Sequence, residues 1–363
     1  MTNIKKIAVL GGGVAGMETS IQLNRLGYQV DLIEIEDKLG GHVRNWYKLF
    51  PDHKPADEFL EKLISNLSAT DVQIKTSIQI NAFLRKEKKL CLFDQACEFG
   101  VYDAVVVATG FDLFEAYRKE EYGFGIYKNV ITSAGLETMF LGKTIKTSGG
   151  NVPKRVGLVH CVGSRDEKCG NLHCSKVCCI TAVKQAITLR QMLPNTEVFC
   201  FYMDMRMFGP SYEELYREAQ EKWAVRFIRG RISEAAQNAD ETILIKTEDT
   251  LTGRQLKMNV DLLVLMVGML PSKGTTVIGK KTGLDFGMNR FLKVKDEHYH
   301  ANETNQEGIF VAGSASAPMN ISDTISHARA AATAVDHYLK TTDHERFSEK
   351  NNIRNLEKAL HEK

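Results

Sequence analysis

Apolar and polar positions alternate along this chain in two successive strand–helix patterns. The run "KKIAVL", residues 5–10, is apolar enough for a buried strand. "GGGVAGMETSIQLNRLG" follows as a glycine turn and a helix, and "YQVDLIEIE" reads as the next strand. This strand–turn–helix–strand order predicts the start of a parallel sheet. Residues 54–67 predict a helix with a polar face, "DVQIKTSIQI" and "AFLRKEKKLCLF" short strands, and "YDAVVVATG", 102–110, a buried strand ending in glycine.

A second pattern begins near Lys154. "RVGLVHCVG" is a strand, "SKVCCITAVKQAITLRQML" a helix and "TEVFCFYMD" the following strand. "SYEELYREAQEKW" predicts a helix, "VRFIRGRI" and "VDLLVLMVG" strands. "EGIFVAGS", 307–314, is a late strand before a helix at about 322–340, and residues 343–363 predict a charged, solvated helical tail. The fold class is therefore α/β, with two Rossmann-like domains, the second inserted in the first. The expected boundaries are 1–150 and 276–340 for the nucleotide-binding domain, 151–275 for the inserted unit and 341–363 for the tail.

Composition narrows the partners. The 363 residues are 43% hydrophobic and 25% charged, with a net charge of +2. Nothing in that balance calls for nucleic acid or a membrane surface, and no apolar run approaches the ~18 residues of a membrane span. The N-terminus meets glycines after a short apolar run, so it reads as a first strand and not as a signal peptide. The expected location is cytoplasmic. In that reducing compartment clustered cysteines are ligands or redox groups before they are structural disulfides.

Gly11, Gly13 and Gly16 form G-x-G-x-x-G with Ala15 inside it, after a strand and at the start of a helix. Glu34 closes the next strand, 23 residues after Gly11. In that context the loop is a dinucleotide site: the helix N-terminus faces the phosphates and the acidic residue accepts from ribose hydroxyls.

The extension "DKLGGH", the strand end "VVVATG" and the late "GIFVAGS" resemble the two-dinucleotide-binding flavoproteins, in the thioredoxin-reductase-like arrangement. That resemblance implies FAD, with Gly41 and His42 near pyrophosphate and flavin, Ala108, Thr109 and Gly110 as a turn against it, and Gly313 and Ser314 near the ribityl phosphate. Ser314 stands where that family usually has aspartate. The helix opened by "NISDTISHARAAA" would aim its N-terminus, with Ile321 and Ser322, at the flavin. Asp323 is either its cap or a flavin contact. Phe111 and Trp46 read as packing residues. After "RVGLVHCVG" no second glycine loop follows, so NAD(P)H binding stays open.

The second unit carries cysteines there instead. Cys161, Cys169, Cys174, Cys178 and Cys179 fall within nineteen residues, whereas the rest of the chain has only Cys91, Cys97 and Cys200, read as packing residues. On a helix of about 3.6 residues per turn, Cys174 and Cys178 share a face. Cys161 at the strand end completes C-x12-C-x3-C-C. Four thiolates suit an iron–sulfur cluster. Zinc, a flavin-linked dithiol and buried free thiols remain alternatives. Cys169 and His173 fall outside the simplest set. Arg165, Arg206, Arg229 and Arg231 could hold an anionic flavin or a partner, or be ion-paired.

"HCVGSRDE", "HCSKVCCITAVKQA", "FYMDMRMFG", "YREAQEKW", "VRFIRGRISE" and "GIFVAGSASAPMNISDTISHARAAA" together resemble the A-subunit of heterodisulfide reductase over residues 4–340. The resemblance implies FAD and a 4Fe–4S cluster on Cys161, Cys174, Cys178 and Cys179. It also implies an electron-transfer role beside other subunits of a heterodisulfide-reductase-like complex, and a homodimer within it. The chain lacks the added ferredoxin-like cysteine runs of the long methanogen relatives. It is similar to the short core form of the sulfur-oxidising type, with quinone-linked oxidoreductases as the second choice. An autonomous NAD(P)H-dependent flavin disulfide reductase using Cys174 and Cys178 is the rival reading. A zinc-binding flavin scaffold is the non-catalytic one.

Overall fold

The computed structural model describes residues 4–94 and 97–361, with side chains described up to residue 342. Two five-stranded parallel sheets carry the chain. The first runs in spatial order 309–311, 104–107, 6–10, 29–33, 73–75. Its central strands Lys6–Leu10 and Ala104–Val107 are buried almost throughout, as apolar strands covered on both faces must be. Helix Val14–Arg25 covers one face together with the first turns of helix Ile321–His361. The other face packs on a three-stranded antiparallel sheet formed by 80–86, 89–94 and 97–102.

The second sheet runs 226–229, 197–202, 155–162, 262–267, 130–132. Helix Cys178–Met192 packs on one face and a second antiparallel sheet, 232–237, 243–249 and 254–260, on the other. The two crossings between the units pair with each other: Phe111–Leu113 lies antiparallel to Met269–Pro271.

This pairing moves one expected boundary. Strand Val130–Thr132 joins the second sheet beside Leu262–Val267, and helix Ser133–Leu141 buries Leu136 and Phe140 in the second core. Residues from about 113 onward therefore run with the inserted unit, not with the first. The 111–150 stretch mixes short apolar pieces with six glycines, which leaves its sheet unreadable from periodicity. The helix expected at 322–340 extends further, Ile321–His361, so the charged tail continues it.

Candidate functional site: a nucleotide cleft joined to a thiol cluster

The cleft is built where the first strand meets its helix. Gly11 has φ +108°, and a Cβ there would lie 2.4 Å from the Ala108 carbonyl oxygen. A Cβ on Gly16 would lie 1.8 Å from the Gly11 carbonyl oxygen. Only glycine lets the loop, the helix and the Ala108–Gly110 turn approach this closely. Gly13, by contrast, faces open space and caps the helix without a side-chain bond, so the helix N-terminus points unpaired N–H groups into the cleft. Glu34 is buried, and its carboxylate accepts from the Gly12 N–H and, at 2.9 Å, from the Glu36 N–H.

A cavity of about 560 Å³ opens over this loop. Gly11, Gly13, Ala15, Glu34, Gly41, His42, Ala108, Thr109, Gly110, Ser314 and Ile321 all line it. Three expected contacts do not. Gly16 packs behind the loop. Gly313 lies against Ala15 with its N–H donating to His327 Nδ1. Ser322 lines the neighbouring cavity instead. The Thr109 hydroxyl is taken up at 2.5 Å by Thr275, at the start of helix Lys273–Thr282. Asp323 is not a cap: Asn320 accepts from the Asp323 N–H at 2.7 Å, and the Asp323 carboxylate takes Lys176 of the cysteine loop at 2.5 Å. One ion pair thus ties the helix at the cleft to the loop of the second unit.

A second cavity, about 300 Å³, continues the first toward the cysteines. Trp46, Phe111, Met319, Asn320 and Ile321 line both. Phe111 stacks on His42, ring centroids 4.3 Å apart, while His42 Nε2 lies 2.7 Å from the Phe111 carbonyl oxygen. Trp46 and Phe111 therefore form the joint between the chambers, a placement that only tertiary packing reveals.

The far wall is helix Cys178–Met192, with Cys178, Lys184 and Gln185 reaching the cavity. Lys184 pairs with Glu137, both fully buried. Glu137 also accepts from Gln185 Nε2 at 2.6 Å and from the Tyr47 N–H at 2.8 Å. Burial pushes the Lys184 ammonium down against the pull of Glu137. Gln185 Oε1 is buried and has no partner. In sequence, Lys184 reads as an ordinary helix lysine; its burial follows from helix 133–141 supplying Glu137 across the cavity.

The thiols gather where strand Arg155–Val162 breaks register. Its pairing with 262–267 shifts between Val159 and Val162, and Cys161 has φ +59°. Such bulges re-aim side chains beside functional sites. The helix starts at Cys178, so Cys174 sits in the preceding loop and not one turn up the same helix face. Lys176 at φ +61° makes the turn that the sequence pattern conceals. Cys161, Cys178 and Cys179 are buried; Cys174 is half-buried and accepts from the Lys176 N–H at 3.3 Å.

The three buried thiols interact directly. Hydrogen bonding to Cys178 pulls both Cys161 and Cys179 below the usual thiol range, against the effect of burial, while the contacts with Cys161 and Cys179 push Cys178 up. The helix N-terminus adds positive potential at Cys178 and Cys179. Among the described residues, no three His, Cys, Asp or Glu side chains form a closed metal-holding group. The donors around the thiols nevertheless fit a negative guest. Arg165 acts electrostatically on Cys161 and Cys174, and its Nη1 is buried with no partner. His160 is buried with both ring nitrogens unpartnered, next to Cys179 and Cys200. Nothing in the sequence singles out His160, because one histidine in a strand carries no signal.

The remaining candidates fall outside. His173 is held by the Met269 carbonyl oxygen at 3.0 Å and packs edge-on to Phe291. Cys169 is buried in a separate core with the Phe114 side. Cys91 and Cys200 pack as expected, but Cys97 is exposed. Arg165 and Arg229 pair with Asp204, and Arg231 with Asp166. Asp166 also takes Lys119 at 2.7 Å, and Asn171 donates to the Gly163 carbonyl at 2.9 Å, so the body of the cysteine loop is clamped.

Comparison with known proteins bears on the family and the fold. A family profile described as pyridine nucleotide-disulphide oxidoreductase matches residues 2–132 and 180–334, leaving out the stretch with the thiol loop. The H(2):CoB-CoM heterodisulfide,ferredoxin reductase A-subunit of Methanothermobacter thermautotrophicus is 30% identical over 90% of this chain and 63% of its own length. The CoB--CoM heterodisulfide reductase iron-sulfur A-subunit of Methanocaldococcus jannaschii is 32% identical over 91% of this chain and 64% of its own. The ferredoxin:CoB-CoM heterodisulfide reductase A-subunit of Methanosarcina mazei reaches 38% over 93% and 53%. The chain thus spans between half and two thirds of these relatives. Thioredoxin reductases of Lactococcus lactis (TM-score 0.66, 16% identity, 93% of this chain and 99% of that one) and T. acidophilum (0.63, 15%, 93% and 99%) share the fold. The chain is an oxidoreductase of the pyridine nucleotide-disulphide oxidoreductase family, with two dinucleotide-fold domains, and its similarity within that family runs to the A-subunits of heterodisulfide reductases.

Proposed function

We propose that this chain is an FAD- and 4Fe–4S-carrying electron-transfer subunit of a heterodisulfide-reductase-like complex in sulfur metabolism. The observation that carries the reading is the pair of joined cavities, one opening on the glycine loop and the other walled by Cys178. FAD, when bound, would accept or give two electrons, and a cluster would pass them singly.

The chain's own residues fit the flavin. The glycine loop and the unpaired helix N-terminus receive a diphosphate. Glu34 keeps acceptor capacity for a ribose beyond its two backbone partners. The second chamber offers the spare N–H donors of Lys184 and the free acceptor Gln185 Oε1, a match for a ring that bears both acceptors and an N–H. Trp46, Phe111 and the methionines around the joint exclude water. Cys161, Cys174, Cys178 and Cys179 would hold the cluster, with the Arg165 guanidinium and the Cys178 helix N-terminus offsetting its negative charge.

The disulfide-reductase rival needs Cys174 and Cys178 as a pair and a second nucleotide loop. Cys178 instead has Cys161 and Cys179 as its sulfur neighbours, and the loop after Gly163 is tied up by Asp166 and Asn171. The sulfur-oxidising setting is favoured over a quinone-linked one by the sequence resemblance alone. A homodimer within the complex, a cytoplasmic location and chemistry completed on partner subunits belong to the same proposal.

The test is iron, acid-labile sulfide and FAD content of protein purified without oxygen, beside a Cys178→Ala/Cys179→Ala variant. About four iron and four sulfide per FAD, lost in the variant with FAD retained, is the expected result. Zinc, or FAD with no metal, refutes it. In that case thiol titration before and after NAD(P)H decides between reductase and scaffold.

A further inference from the structure

His160 lies at the register break, one residue before Cys161. Its side chain is 6% exposed, and neither ring nitrogen closes a hydrogen bond. A buried polar group left without a partner destabilises the fold unless something completes its bonding. The groups facing the ring are the Cys179 and Cys200 thiols, with the Tyr202 ring tilted against it at 6.4 Å. Cys179 meanwhile directs its own proton away from the imidazole, to the Asp204 carbonyl oxygen at 3.7 Å. That carbonyl is a partner only for a protonated sulfur. A Cys179 thiolate bound to iron has no proton to give, and needs incoming N–H groups. The Arg206 backbone N–H supplies one.

We propose that His160 is a positioning residue of the thiol centre: its imidazole N–H closes on the Cys179 sulfur when that sulfur ligates the cluster, and Cys200 holds the ring from the other side. The proposal rests on the cluster reading above. An N–H bond to a ligand sulfur stabilises the reduced cluster more than the oxidised one, because the reduced form carries the extra negative charge. His160 therefore raises the reduction potential of the centre.

The experiment uses the full chain purified without oxygen, wild type beside His160→Phe, His160→Leu and His160→Gln. Iron and sulfide are counted, and the cluster is titrated with dithionite as one-electron donor, followed by electron paramagnetic resonance. The phenylalanine and leucine variants have no donor. Both are expected to hold the reduced form about tenfold less at a given potential, a downward shift of about 59 mV for a one-electron couple. Glutamine keeps a side-chain N–H and is expected to stay near wild type. If His160→Phe fails to fold, His160→Leu against His160→Gln still decides. Iron lost from the phenylalanine and leucine variants but kept by glutamine gives the same answer. Equal potentials at equal iron content, or iron lost from all three variants, overturns the role of His160 alone. A wild-type chain without iron overturns the cluster reading and this inference together.

Discussion

Lys184→Met removes one partner of a buried ion pair. Lys184 and Glu137 are each 3% exposed, and Glu137 keeps its bonds from Gln185 and the Tyr47 N–H. These neutral donors do not neutralise a carboxylate taken out of water. Stranding one buried charge costs about 3–5 kcal/mol, whereas removing both is often near neutral. At about 2.1 cal/mol/K per residue, a 363-residue chain unfolding as one unit loses on the order of 5 °C of midpoint for that cost. Lys184→Met/Glu137→Gln should recover most of it. Thermal unfolding of the FAD-loaded chain at neutral pH measures this. A single variant within about 1 °C of wild type, or a double variant as unstable as the single, would refute the argument.

Two further outcomes follow from the cleft and its sheet. Gly16→Ala places a methyl 1.8 Å from the Gly11 carbonyl oxygen, so the loop must move; FAD content after gel filtration should fall at least tenfold, and unchanged content would show that the glycine is incidental. Burial raises the Asp31 carboxyl, but bonds from Lys75 at 2.8 Å, the Tyr102 hydroxyl at 2.7 Å and Lys6 at 3.0 Å outweigh it and hold the group below the usual carboxylate range. That stability is present above the unfolded pKa of about 3.9 and is lost as pH falls through the folded one, so Asp31→Asn should flatten the acid limb of urea midpoints below about pH 4.

What could be read from sequence, and what could not, divides by the range of the interaction. The two parallel sheets follow from runs such as "KKIAVL" and "VDLLVLMVG", whose apolar continuity survives any packing detail. The glycine loop is legible because each glycine answers a local backbone demand. The start of the thiol helix is not. "SKVCC" has helical spacing, but Lys176 adopts positive φ and Val177 is the last residue outside the helix, so Cys174 leaves the face it seemed to share. The ion pairs that decide this loop's course, Asp166 with Lys119 and Lys176 with Asp323, span 47 and 147 residues, and no local pattern carries them. The same holds for Lys184, whose partner Glu137 comes from a helix that weak periodicity hides.

These long-range contacts also say why the inserted unit can give up a nucleotide loop and keep its fold. In a parallel sheet the turn after the first strand is where a glycine loop would lie, and its conformation is usually fixed by close packing on the following helix. Here the turn is fixed from outside instead. Asp166 and Asn171 clamp its body, Lys176–Asp323 ties its end to the cleft helix, and Arg165–Asp204 crosses its mouth. The strand and helix beneath need no dinucleotide to order them, since apolar residues such as Leu158, Val183 and Ile187 pack there at full burial. The turn is thereby free to carry thiols, and the helix N-terminus that would have faced a phosphate faces Cys178 and Cys179. Under the proposed function one electrostatic device, the positive end of a helix, would serve a diphosphate in the first unit and sulfur anions in the second.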